Sequence, residues 1–160
     1  MNEKMRRSIG GRNPADFAKG TKLNQKLSRL LASGFFDVSG AIVFTAMRKL
    51  AETVKPENFS DLTGFECFVN HIHVEDHLNG SDQGSLLKQG VTFGLAIEGQ
   101  LRSTVPDKAF KVIVAATANG CGVRFHLVRS GEEWLASNLD AYQGEAILVL
   151  EDHSIVADRQ

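Results

Sequence analysis

Asn119-Gly120 is the strongest turn signal in the chain. Both residue types accept positive φ, so the pair favours the tight turn whose twist matches that of two flanking strands. The flanks fit. Phe110-Lys111-Val112-Ile113-Val114-Ala115-Ala116-Thr117 precedes the pair and Cys121-Gly122-Val123-Arg124-Phe125-His126-Leu127 follows it. A two-residue turn predicts Ala118 opposite Cys121, Ala116 opposite Val123, Val114 opposite Phe125 and Val112 opposite Leu127. Strand side chains alternate, so one face of this hairpin is apolar. The other carries Lys111, Ile113, Ala115, Arg124 and His126.

A second stretch, Cys67-Phe68-Val69-Asn70-His71-Ile72-His73-Val74-Glu75-Asp76-His77, holds three of the five histidines. Read as an extended strand over 65–76, it sends Cys67, His71, His73 and Glu75 to one side, with His77 at its end. Phe68, Ile72 and Val74 go to the core side. Between the two stretches, residues 84–102 alternate like a strand but also form a helical stripe of Leu86, Leu87, Phe93, Ile97 and Leu101. Their length without a turn favours helix, since strands usually run about 5–6 residues. Gly90 and Gly94 would let that helix lie close against a sheet. Ser130, Glu132 and Glu133 suit the start of a short helix whose buried stripe is Trp134, Leu135, Leu139 and Tyr142. Ala146–Leu150 is apolar on both faces and reads as a central strand.

Strand, helix, strand, strand, helix, strand is the ferredoxin-like split βαβ plan, an α+β architecture with a four-stranded antiparallel sheet. In that plan the first and third strands are neighbours. His71, His73 and Glu75 then share one sheet face with Arg124 and His126.

Upstream, Asn13-Pro14-Ala15-Asp16 has the signature of a helix start. Leu23, Leu27, Leu30 and Leu31 continue at helical spacing, and Gly34 stands where a helix-ending glycine belongs. A second helix is expected from Asp37, with Lys55-Pro56 as its end. The chain thus divides into a mobile basic arm, 1–12, a single domain, 13–151, and a polar tail, 152–160. Within the domain, 13–55 is read as a helical hairpin and 64–151 as the βαββαβ unit.

The 160 residues are 42% hydrophobic and 23% charged, ordinary values for a globular chain. No apolar run approaches the roughly 20 residues that span a bilayer. With Cys67 and Cys121 far apart and in no metal-finger spacing, both read as reduced thiols in a cytoplasmic protein. Charge is uneven: residues 1–29 carry eight Lys and Arg against Glu3 and Asp16, a surplus of +6, and the remainder carries ten against seventeen, or −7. Such a basic segment is mostly solvated surface, but Arg6, Arg7, Arg12, Lys19, Lys22 and Lys26 are candidates for contact with nucleic-acid phosphates.

Zinc or a similar divalent ion accepts imidazole and carboxylate, which makes His71, His73, Glu75, His77 and His126 candidate metal ligands. His-x-His alone is a weak signal. No Ser-His-Asp order, nucleophile elbow or phosphate-cradling glycine loop is present. The reading that follows is a small non-catalytic binding or regulatory domain. It self-associates or binds a protein partner through the face bearing His71, His73, Glu75, Arg124 and His126. It requires no cofactor and no membrane.

Overall fold

The computed structural model describes residues 1–151. The polar tail expected over 152–160 lies outside the described residues. The protein is mixed α+β: among the described residues it has six α-helices and two antiparallel sheets.

The main sheet contains β3 (Ile72–His73), β4 (Phe110–Ala116), β5 (Cys121–Leu127) and β6 (Ala146–Glu151), in the order β3-β5-β4-β6. The first and third of these strands are neighbours, as the split βαβ plan requires, with Ile72 opposite Val123 and His73 opposite Gly122. The last strand departs from that plan. It pairs with β4, Val112 opposite Leu150 and Val114 opposite Leu148, and not with β3. The reason is length: β3 is two residues long and offers little edge, whereas β4 offers seven residues to a six-residue strand.

The expected helix over 130–144 is absent. Gly131 adopts φ +80° and folds Glu132 back beside Arg129 in an isolated bridge. The chain then runs as an irregular strap with a single 3₁₀ turn, Leu139–Ala141. Trp134, expected in a buried stripe, is 40% exposed.

The β4–β5 hairpin forms, two residues out of the expected register: Ala116 faces Cys121, Val114 faces Val123 and Val112 faces Phe125. Its turn is longer, with Thr117 donating its N–H to the Gly120 carbonyl. An even shift keeps every side chain on its face. Val112, Val114, Val123 and Phe125 therefore still point to the core, and Lys111, Ile113, Ala115, Arg124 and His126 to the back.

Helix α6 (Gln83–Thr104) covers the core face, capped by Asp82, whose carboxylate accepts the Ser85 N–H. It lies as close as Gly90 and Gly94 allow. A Cβ on Gly90 would strike the Cys121 sulfur, and one on Gly94 would come within 2.8 Å of Val114 Cγ2.

The N-terminal third differs most from expectation. Residues 1–12 are not a mobile arm. Helix α1 (Glu3–Ser8) docks on β6, with Met5 and Ile9 fully buried. Asn2 extends the sheet edge, its N–H donating to the Ile147 carbonyl and its Oδ1 accepting the Ile147 N–H, both at 2.9 Å. The helix expected from Asn13 is capped as predicted, but it breaks into α2 (Pro14–Ala18) and α3 (Gln25–Ala32), because Gly20 turns the chain at φ +76° and Asn24 caps a new start.

In place of the front of a second long helix, β1 (Phe35–Val38) and β2 (Ala41–Phe44) form a hairpin. Ser39 and Gly40 both take positive φ in its turn, which is the conformation that joins two strands in two residues. Only α4 (Arg48–Val54) of that helix remains, ending before Pro56. The helical-hairpin reading of 13–55 is thus corrected to helices flanking a small sheet. None of the helices among the described residues is long and apolar enough to cross a membrane.

Candidate functional site

Residues 65–71 are not strand. Asp61 accepts the Gly64 N–H at 2.6 Å and starts helix α5 (Leu62–Val69). This corrects two placements. Cys67 is fully buried within α5 rather than on a strand, near enough to Arg124 for their charges to act on each other, and Phe68 is 50% exposed rather than in the core. Ile72 and Val74 are buried as expected.

The short β3 is nonetheless enough to carry the histidines to the back of the main sheet. His71 Nε2 lies 2.9 Å from Arg124 Nη2, where the guanidinium N–H donates to the ring nitrogen. The His71 and His73 rings stand 4.2 Å apart, and His73 Nδ1 is 3.5 Å from Glu75 Oε1. Glu75 also accepts the Cys121 backbone N–H at 3.0 Å. Gly122 leaves room for His71, since a Cβ there would come within 2.6 Å of Nε2.

His71, His73, Glu75 and Arg124 thus line one cleft of about 280 Å³, together with Gly122 and Glu145. Burial, reinforced by the Arg124 charge and then by His73, lowers the His71 pKa to about 4. At neutral pH His71 is therefore an uncharged acceptor for Arg124. Burial would raise the Glu75 pKa, but the Cys121 N–H and the other hydrogen bonds outweigh it and keep the carboxylate ionised. Burial also lowers the Arg124 pKa.

The Arg124 guanidinium lies 5.0 Å from the centre of the Trp134 ring. Among the described residues it makes no carboxylate ion pair, although Glu145 lines the same cleft.

His126 shares the face but not the cleft. It stands opposite Lys111 and is 1% exposed. It lines a separate cleft of about 800 Å³ between the sheet and the strap. His77 lies in a 3₁₀ turn after β3 and lines neither cleft. The metal set is therefore not assembled. Among the described residues no three His, Cys, Asp or Glu side chains are grouped to hold an ion. Cys67 and Cys121 are buried, and burial pushes both thiols up to about 12, which removes them as nucleophiles at neutral pH.

The six basic candidates stay apart from this face. Arg6 and Arg7 pair with Glu3 at 3.4 and 3.6 Å, and Arg12 donates to the Ile9 carbonyl and covers Phe17. Lys19, Lys22 and Lys26 are exposed around α2 and α3.

A polar cluster that the strand reading missed lies behind the site. Glu66 on α5 is fully buried, and Arg129 grips both of its oxygens at 2.8 and 2.9 Å. The Asp61 cap and the Glu66/Asn70 spacing of one helical turn are the signals that would have found it.

The chain belongs to the Uncharacterized protein PM0498 family, whose model matches residues 1–157. Neither the curated proteins nor the solved structures contain a match.

Proposed function

We propose that this chain is a small, non-catalytic binding domain that engages a protein partner through the His71–His73–Arg124 face, where Arg124 receives a carboxylate from that partner. The observation that carries this is the state of Arg124. It is a part-buried cation that donates to a neutral histidine and lies over an indole, with no carboxylate ion pair among the described residues. Guanidinium is the side chain best matched to a carboxylate fork. Of the two acids that line the cleft, Glu75 is committed to the Cys121 N–H and His73, and Glu145 acts on Arg124 through its charge without forming an ion pair. The cleft, about 280 Å³, lies just below the size range of ligand pockets and suits one inserted side chain.

The probe is acetylated hexaglutamate, with hexaglutamine as the neutral control. Trp134 is the single tryptophan and sits on Arg124, so its fluorescence reports the site. Saturable quenching or enhancement is expected with the acidic peptide alone. Backbone NMR shifts are expected to centre on His71, His73, Gly122 and Arg124. Arg124→Gln should weaken binding by about tenfold or more, the range for removing one partner of a partly desolvated ion pair. Equal responses to both peptides, or binding indifferent to Arg124→Gln, would sink the proposal. A dimer in sedimentation velocity that Arg124→Gln dissolves would assign the face to a second copy instead. Zinc uptake lost in His71→Ala and His73→Ala would assign it to a metal.

A further inference from the structure

The larger back-face cleft has a feature that the partner face does not explain. His126 Nδ1 lies 2.8 Å from the Leu127 carbonyl oxygen. A carbonyl only accepts, so Nδ1 must carry the hydrogen, and Nε2 is the bare acceptor of a neutral ring. Burial lowers the His126 pKa, in keeping with that neutral form. Nε2 is buried with no hydrogen-bond partner, and it is the one side-chain polar atom in that state among the described residues. Buried acceptors are nearly always satisfied, so an orphan beside a cavity calls for a donor.

The cavity has the dimensions of a ligand pocket. It is about 800 Å³, within the roughly 300–1,000 Å³ typical of small-molecule sites. Ile113 and Val149 form its sheet wall, and Leu135 and Leu139 its strap wall. At its mouth Lys111 bridges Glu133 at 2.9 Å and Glu151 at 3.6 Å, one ammonium between two carboxylates. That excess of negative charge disfavours anions. The strap wall is irregular chain, held partly by the Tyr142 hydroxyl accepting the Ala136 N–H at 3.0 Å, and so can give way to a ligand reaching the sealed ring.

We infer that the cleft between the main sheet and the 133–139 strap binds a mostly apolar, neutral or cationic small molecule that donates an N–H or O–H hydrogen bond to His126 Nε2. The test uses tryptamine as the probe, an arylethyl ammonium with donors at both ends, and indole-3-propionate as its anionic counterpart. With ¹⁵N-histidine-labelled protein, tryptamine should move the unprotonated Nε2 resonance of His126 saturably, and indole-3-propionate should bind at least tenfold more weakly. Ala136→Trp, an exposed strap position whose side chain would fill the cleft, should abolish the response while leaving His126 intact. His126→Phe removes the acceptor and should weaken binding tenfold. Should that variant not fold, the resonance shift in the native chain still decides the matter. Absence of saturable tryptamine binding would overturn the inference. So would binding that leaves Nε2 unmoved, or that maps to the Arg124 cleft.

Discussion

Glu66 on α5 and Asn70, which caps the end of that helix, lie one turn apart, and their side chains hydrogen-bond two strands that belong to different sheets. Glu66 Oε1 accepts the Ile42 N–H of β2 at 2.6 Å, and Oε2 accepts the Leu127 N–H of β5 at 2.8 Å. Asn70 accepts the Phe44 N–H and donates to the Ile42 and Phe125 carbonyls at 3.0, 2.9 and 3.2 Å. Because β3 pairs with β5 over only two residues, the rest of that edge would otherwise be unpaired. Two side chains replace the missing strand, and Arg129 neutralises the carboxylate that does half of this.

Removing that carboxylate leaves two buried N–H groups without an acceptor and Arg129 with only the Gly40 carbonyl and the more distant Glu132 as its main partners. Glu66→Ala should therefore lower unfolding stability by about 3–5 kcal/mol, the range for breaking a buried ion pair. Asn70→Ala should cost about 2–3 kcal/mol, since several buried backbone groups lose their partner. The double variant should cost less than the two together, because both act on one edge. Urea unfolding followed by circular dichroism measures all three. A Glu66→Ala variant as stable as the parent would contradict this account.

The same cluster shows where local pattern misleads. An alternating stretch ending in His71-Ile72-His73 reads as strand throughout. In the folded chain the alternation is true only from Ile72, and before it Phe65, Glu66, Val69 and Asn70 follow helical period with two polar residues inward. Buried Glu and Asn break the apolar stripe that identifies a helix, so the tertiary role of α5 concealed its period. The Ser39-Gly40 turn was concealed in another way: Ser is an uncommon residue at positive φ, and the apolar run around it fits either period.

The β4–β5 hairpin faces were legible despite the wrong turn length, since an error of two residues preserves parity. That is why Arg124 met His71 where the spacing placed them, while the distance from His126 to that pair depended on packing that no local pattern encodes.

Helix α6 was legible from length, and its glycines test the reason. Gly90→Ala should destabilise by about 1–3 kcal/mol, because the new methyl meets the Cys121 side chain in a filled core. Gly99→Ala, on the same helix with nothing within 4 Å, should stabilise by up to about 1 kcal/mol through helix propensity. Opposite signs in thermal or urea unfolding are the expected result. Similar effects at the two positions would deny the close approach.

Both thiols are predicted to be silent in the native protein. Each is buried, and burial pushes each up to about 12, so the thiolate fraction near pH 8 is negligible. A disulfide-exchange reagent should react with neither cysteine in buffer and with two equivalents in denaturant. Rapid native labelling of Cys121 would show that the α6 contact opens readily.

His71 should set an acid limb on stability. Its pKa in the folded chain, about 4, lies below the ordinary value of 6.5, first through burial and then through the Arg124 charge. Between those two pH values the unfolded chain binds a proton that the folded chain does not, so stability rises with pH across that window. The contribution is complete above about pH 6.5 and is lost as pH falls toward 4. His71→Gln keeps an acceptor for Arg124 and cannot titrate. The difference between the two proteins' stability curves should therefore grow as pH falls from 7 to 4 and be flat above it. Urea midpoints at half-unit intervals give that difference directly. The carboxylate probe supplies an independent check. An anion seated beside Arg124 offsets the charge that depresses His71, so bound hexaglutamate should raise the His71 pKa, measured by NMR titration of its ring. An unchanged ring titration with saturating peptide would place the peptide elsewhere.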